Sequence, residues 1–170
     1  AYALSLETDQ AVTNPRAQAK LHLSMASLQH SQEQTKAAIT HIEAVYQNLI
    51  PTLDLDQDAH NKIPSPSQLY AENTLMDALD LHAQIFESSD RAEEALLLYE
   101  YATIVSKQLS NNLTSQQSKM ALQTTQKKRA EAFLDLAYTL YQTKQSPDLL
   151  NRAFAMSQST QALLATQGFI

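Results

Sequence analysis

Apolar residues recur along this chain at steps of three and four, the spacing that lines one face of an α-helix. Prolines at positions 15, 51, 64, 66 and 147 divide the pattern, because proline is excluded from helix interiors. The result is six predicted helices, at about residues 15–30, 32–49, 68–87, 90–111, 115–144 and 147–167. Their pairing predicts three hairpins, at about 14–50, 68–110 and 115–167, and a connecting loop at 51–67.

Polar residues mark several helix ends. Asn14 before Pro15 is predicted to cap the first helix, Ser67 the third, and Asp90 with Glu93 the fourth, while Gly168 would end the sixth. The helices are predicted to bury the following apolar stripes: Ala17, Leu21, Ser24, Met25 and Leu28 in the first; Ala37, Ala38, Ile42, Val45 and Leu49 in the second; Leu75, Leu79, His82, Ala83 and Phe86 in the third; and Ala95, Leu98, Tyr99, Ala102 and Val105 in the fourth.

Composition narrows the fold class to all-α. The chain of 170 residues has one glycine and no cysteine. Sheet proteins use glycine in hairpin turns and bulges, and phosphate-binding loops are rich in it, so both classes are excluded. We therefore expect one all-α domain over residues 1–170, made of three antiparallel hairpins with one long helix.

The net charge of the chain indicates which kind of binding partner to expect. A net charge of −6 disfavours nucleic acid and anionic membranes and favours a neutral to basic partner. No apolar run is long enough to span a bilayer. The lack of cysteine suits the cytoplasm, although a disulfide-free exported protein is equally compatible with it. The chain begins at Ala1, and we expect it to be a piece of a longer protein.

An alanine recurs in the second helix of each hairpin, at Ala37, Ala95 and Ala153, 58 residues apart both times, and Leu21, Leu79 and Ala137 recur with it. In the middle hairpin, the residues between Leu79 and Ala102 resemble the tetratricopeptide repeat in the order of large, small and aromatic positions. This resemblance implies a solenoid, a right-handed stack of the three antiparallel hairpins whose first helices line a concave groove. The first hairpin matches more loosely, and the third hardly at all.

The C-terminal third carries a second resemblance. Ala153-Phe154, Ser157 and Leu163-Leu164 are similar to the last repeat before the caspase-like CHAT domain of bacterial proteins with tetratricopeptide arrays. Gln158 and Gln161 replace the Glu and Lys that are usual there. The resemblance implies a scaffold in a larger bacterial protein, with a peptidase-like domain downstream.

Candidate catalytic and metal-binding residues are better explained structurally. His41 and His82 lie on predicted inner faces, where a hydrogen-bonded packing role is the commoner one. Asp54, Asp56 and Asp58 alternate as in a calcium loop, but Ala59 replaces the required glycine. The run 127–129, Lys-Lys-Arg, is predicted to be solvated. We therefore predict no catalytic residues, no metal and no cofactor.

The remaining candidate is the groove. The register of the first helices predicts that it is lined by eight polar residues: His22, Gln29, Asp77, Asp80, Gln84, Asp135, Tyr138 and Gln142. This acidic, amide-rich surface favours a non-catalytic protein-interaction domain that binds a peptide or a partner protein. The alternative is a compact helical bundle that senses a small ligand in its core.

Overall fold

A computed structural model of the chain describes residues 14–53 and 63–165. These residues form six α-helices: α1 (Pro15–Ser31), α2 (Thr35–Leu49), α3 (Asn73–Glu87), α4 (Ala92–Asn112), α5 (Gln116–Lys144) and α6 (Pro147–Ala165). A single 3-10 turn, Pro66–Gln68, precedes α3, and the described residues contain no strand. The predicted all-α class with six helices and a long fifth one is confirmed.

The helices pack as consecutive pairs. The most extensive contacts are those of α1 with α2, of α3 with α4 and of α5 with α6. Neighbouring pairs then touch, because α3 packs on both α1 and α2 while α4 packs on both α5 and α6. This is the contact pattern expected of three stacked helical hairpins.

Helix ends follow the local sequence in some places and depart from it in others. Asn14 caps α1 as predicted, and its side chain accepts hydrogen bonds from the Arg16 and Ala17 backbone. The predicted start of the third helix is wrong, because Ser67 belongs to the 3-10 turn and Glu72 caps α3 instead. The cap predicted at Asp90 is wrong too, since α4 begins after Arg91 without a side-chain cap. Gly168 lies outside the described residues.

The core confirms the apolar faces predicted for α3 and α4. Every residue assigned to these two faces is buried. The predicted face of the first helix is wrong. Leu21, Met25 and Leu28 are 59%, 42% and 55% exposed, and α1 instead buries Ala19 and Ala26. Small residues at these two positions allow α1 to lie close to α2.

The register of the repeat changes as a consequence. In the first two hairpins, buried residues match each other at a spacing of 57 rather than 58: Ala26 with Ala83, Ala38 with Ala95, and Val45 with Ala102. Between the second and third hairpins, a spacing of 58 does match buried residues, such as Leu79 with Ala137. The predicted equivalence of Leu21 with Leu79 is therefore wrong.

Candidate binding cleft

A cleft separates α3 from α5. Its centre is a depression of about 390 Å³. The helix α3 contributes Asp77, Asp80, Leu81 and Gln84 to this depression, α5 contributes Thr125, Lys128, Arg129 and Ala132, and Leu23 and Ser27 of α1 close one side. Because α5 packs on α4 and α6, it leaves this side of α3 open.

Two further depressions continue the central one. One of about 310 Å³ shares Asp77 and Thr125 with it. The other, of about 480 Å³, begins one helical turn beyond Gln84 and Ala132, at Glu87 and Asp135. Together they follow the 15 residues of α3, about 22 Å at 1.5 Å per residue. An extended chain rises about 3.3 Å per residue, so the cleft has room for six or seven residues.

The floor of the central depression is an ion pair. Arg129 donates from Nε to Asp80 Oδ1 and from Nη2 to Asp80 Oδ2, both at 2.6 Å. The two side chains are only 1% and 14% exposed. The prediction that the run 127–129 is solvated is therefore wrong at Arg129, although Lys127 and Lys128 are exposed. Asp80 is bound to a guanidinium and does not face the cleft as a free carboxylate.

A buried polar network extends from this pair. Arg129 Nη1 donates to Ser106 Oγ at 2.7 Å and to Gln126 Oε1. Gln126 Nε2 in turn donates to the hydroxyls of Thr103 and Thr160, at 3.5 and 3.3 Å. These hydrogen bonds connect α3, α4, α5 and α6. The cleft floor is therefore bonded to both the second and the third hairpin.

The carboxyl of Asp77 lies at the rim of the central depression. Although part of Asp77 faces solvent, burial against the cleft wall raises the pKa of its carboxyl, and repulsion from Asp80 adds to this effect. The positive charge of Arg129 acts in the opposite direction. The exposed amine of Lys128 lines the same depression, so both signs of charge are present at the centre of the cleft.

One end of the cleft is acidic. Glu87, Asp90 and Asp135 line the largest depression, and no basic residue appears among the described residues that line it. Tyr99 donates its hydroxyl to Glu87 Oε2 at 3.1 Å. Burial and the charge of Glu87 raise the pKa of Tyr99, so this hydroxyl stays protonated. Asp90 stands in the left-handed region, at φ 56°, in the turn between α3 and α4.

The structure brings together only part of the predicted set. Asp77, Asp80 and Gln84 line the centre of the cleft, and Asp135 lines its acidic end. The other four predicted residues are not among those that line it: His22, Gln29, Tyr138 and Gln142. Tyr138 and Gln142 are exposed. Gln29 is half-buried, and its Oε1 has no hydrogen-bond partner.

Three histidines, His22, His41 and His82, make contacts between neighbouring helices and are not among the residues that line the cleft. His22 Nδ1 and His41 Nδ1 are 3.0 Å apart, between α1 and α2. His82 is fully buried, with Tyr46 Oη 3.1 Å from its Nδ1 and the Phe86 ring centroid 4.2 Å away. Burial, and then the charge of Arg91, lower the pKa of His82 to about 3. The packing role predicted for His82 is confirmed.

Sequence reasoning expected α1 and α5 to line the groove, but it missed most of the residues with which these two helices form the cleft walls. Thr125, Lys128 and Ala132 recur at three- and four-residue steps, which places them on one face of α5. That spacing is present in the sequence. It carries no apolar or charge signature to distinguish it from an ordinary solvated face, so the neighbouring helix is needed to identify it.

Within residues 14–53 and 63–165, no cluster of three or more His, Asp or Glu residues could hold a metal ion. The carboxylates at positions 54, 56 and 58 lie outside the described residues. None of the described helices is both long and apolar enough to cross a membrane. No family model matches the chain, and neither a curated protein nor a solved structure matches it.

Proposed function

We propose that this chain is a non-catalytic protein-interaction domain that holds an extended peptide segment of a partner in the cleft between α3 and α5. The observation that carries the proposal is the continuity of the three depressions along one side of α3. Its length matches six or seven extended residues, and its width is fixed by the ion pair in the floor. A preformed cleft binds a peptide without first paying to order itself.

Charge favours a peptide with a basic residue near one end. A Lys or Arg side chain placed between Glu87, Asp90 and Asp135 would gain charge-assisted hydrogen bonds. The rest of the peptide would lie over the mixed charges and amides of the central depression. The partner is therefore neutral to basic in this proposal.

The architecture supports the same proposal. Three stacked hairpins with a groove along their first helices are the arrangement of tetratricopeptide arrays, in which the groove binds segments of other proteins. Two of the charged groups in the cleft centre, Asp80 and Arg129, bond to each other. This ion pair holds α5 against α3 at one distance, which suits a scaffold in a larger bacterial protein.

The small-ligand alternative has less support. A helical bundle that senses a small molecule needs an enclosed apolar cavity. The three depressions of this cleft are open to solvent and lined by polar as well as apolar residues.

Selection from a random heptapeptide library tests the proposal. We expect peptides selected on the wild-type chain to be enriched in Lys or Arg near one end. Titration calorimetry with the synthetic peptides should then show a dissociation constant weakened at least about tenfold in a variant with Glu87→Gln, Asp90→Asn and Asp135→Asn.

A matched control carries Glu33→Gln, Glu131→Gln and Asp148→Asn, three exposed carboxylates away from the cleft lining. It changes the net charge by the same amount, and it should bind like the wild type. Equal weakening in both variants would show a general charge effect and would contradict binding in the cleft. Failure to select any peptide would contradict the proposed function itself.

A further inference from the structure

Two exposed apolar faces lie on the first and last hairpins. The first, here called the N-face, consists of Leu21, Met25 and Leu28 on α1. The second, the C-face, consists of Leu134 and Tyr138 on α5 with Leu150 and Phe154 on α6. Tyr138 and Phe154 stand at similar distances from the turn that joins their antiparallel helices, so they lie at the same height. Large apolar side chains grouped in this way mark interaction surfaces.

The N-face corresponds to a surface that is buried inside the stack. At the spacing of 57 that matches the buried residues of the first two hairpins, its members correspond to Ala78, His82 and Ile85 of α3. All three are fully buried. His82 bonds to Tyr46 of the preceding hairpin. The N-face is therefore the surface on which a preceding hairpin would pack.

The C-face corresponds to the surface with which a hairpin packs on the hairpin that follows it. At the spacing of 58, which matches buried Leu98 with buried Met156, Phe154 corresponds to Leu96 of α4. Leu96 is fully buried. It lies two helical turns before Thr103, whose hydroxyl contacts Met156 Sδ of the following hairpin. Phe154 thus stands where a middle hairpin packs on the next one, but it is 66% exposed.

We propose that the N-face of one chain binds the C-face of a second copy, so that the molecules stack head to tail. Both halves of one hairpin-to-hairpin contact are present on the same chain, and each is complementary to the other. A second copy of the chain covers both exposed faces with a single kind of contact. The contact is heterologous, so the stack is open-ended and repeats the cleft along its length.

Charge agrees with this pairing. The helix α1 carries Arg16 and Lys20 and no acidic residue. On the C-face side, the exposed residues Glu131 and Asp135 each stand three positions before a member of the face on α5. Residues three apart are neighbours on a helix surface, so acidic groups border the C-face, whereas the helix that carries the N-face has an exposed basic residue in Lys20; Arg16 is already paired with Glu72.

Complementary single-face variants test the proposal by sedimentation velocity over a wide range of concentration. The wild-type mass should rise above 18.9 kDa with concentration and continue past the dimer. Met25→Glu disables the N-face and Phe154→Glu the C-face, so each variant alone should remain a monomer, with self-association weakened on the order of 100-fold. An equimolar mixture should form a heterodimer that does not grow further.

Both substitutions are at exposed positions, and circular dichroism melting should show that the variants stay folded. Leu21→Glu provides a second N-face variant with the same expected behaviour. Ala155→Glu, at an exposed position of α6 outside the C-face, introduces the same charge and is the matched control, which should associate like the wild type.

Three outcomes would overturn the proposal. A wild-type chain that stays at the monomer mass at all concentrations has no such contact. A single variant that still dimerises alone indicates a symmetric contact through one face. A mixture of folded Met25→Glu and Phe154→Glu variants that stays monomeric shows that the two faces do not bind each other. None of these outcomes depends on peptide binding in the cleft, which is measured separately.

Discussion

Replacing Arg129 by methionine tests whether the ion pair in the cleft floor holds the third hairpin against the second. The guanidinium makes four hydrogen bonds, two to Asp80 and one each to Ser106 and Gln126. Without it, the Asp80 carboxylate, only 14% exposed, keeps its charge without a partner. Removing one member of a buried ion pair costs about 3–5 kcal/mol, and we expect a loss of that size in the free energy of unfolding.

Removing both charges should cost less than removing one. In the double variant Asp80→Asn with Arg129→Met, no uncompensated charge remains in the cleft floor. We therefore expect the double variant to be more stable than Arg129→Met alone, by about 2 kcal/mol. This gain in stability on adding Asp80→Asn distinguishes an electrostatic cause from a loss of side-chain packing, because the second substitution would not restore the packing.

Urea unfolding followed by circular dichroism measures both effects. With a denaturant slope of about 2 kcal/mol per molar, a loss of 4 kcal/mol shifts the midpoint by about 2 M. The neighbouring exposed residue provides the control, since Lys128→Met should change the unfolding free energy by less than about 0.5 kcal/mol. If Arg129→Met lowers the unfolding free energy no more than Lys128→Met does, the ion pair does not hold the two hairpins together.

Four positions provide further stability predictions, each measured by the same urea unfolding. The pKa of His82 is lowered to about 3, so its contribution is complete above the unfolded pKa of about 6.5 and falls by about 1.4 kcal/mol per pH unit below it. Between pH 6.5 and pH 5 the wild type should therefore lose about 2 kcal/mol more than His82→Gln, and equal losses would contradict a neutral buried imidazole. Glu72→Ala removes the cap of α3 together with the ion pair to Arg16 and should cost about 1–2 kcal/mol, whereas no change would mean that neither bond contributes to stability. Gln145→Gly should stabilise the chain by about 0.5–1 kcal/mol, because residue 145 is left-handed at φ 47°, and a loss of stability would refute strain there. Ala26→Leu overpacks the contact of α1 and should cost about 1–3 kcal/mol, while an unchanged midpoint would place Ala26 outside the core.

The sequence predicts the helices and the inner faces of the middle hairpin well. In α3 and α4 most of the large apolar residues are buried, as Leu79 and Leu98 illustrate, although Ile104 is exposed. These helices have neighbours on two sides, so their apolar residues are used in packing and the helical period indicates burial directly. The same argument finds the buried His82, because its position on that face outweighs its polarity.

The polar interior was not predictable in the same way. Arg129 follows two exposed lysines, and Gln126 stands three residues before it, a pattern typical of a solvated helix face. Their burial depends on partners from other helices, Asp80 49 residues away and Thr103 23 residues away. A buried charge requires such partners, and no local spacing identifies them.

The error at α1 has a physical cause that also bears on self-association. Sequence patterns assign the more apolar face of a helix to the interior, yet α1 buries its alanines and exposes Leu21, Met25 and Leu28. In a stack of hairpins, an interior unit is covered on both sides and a terminal unit on one side only. Close approach to α2 requires small residues on the covered side, so the large residues of α1 are left on the other. The sequence pattern of α1 is thus that of a helix with two packing faces, one used within the chain and the other the N-face, which we propose to bind the C-face of a second copy.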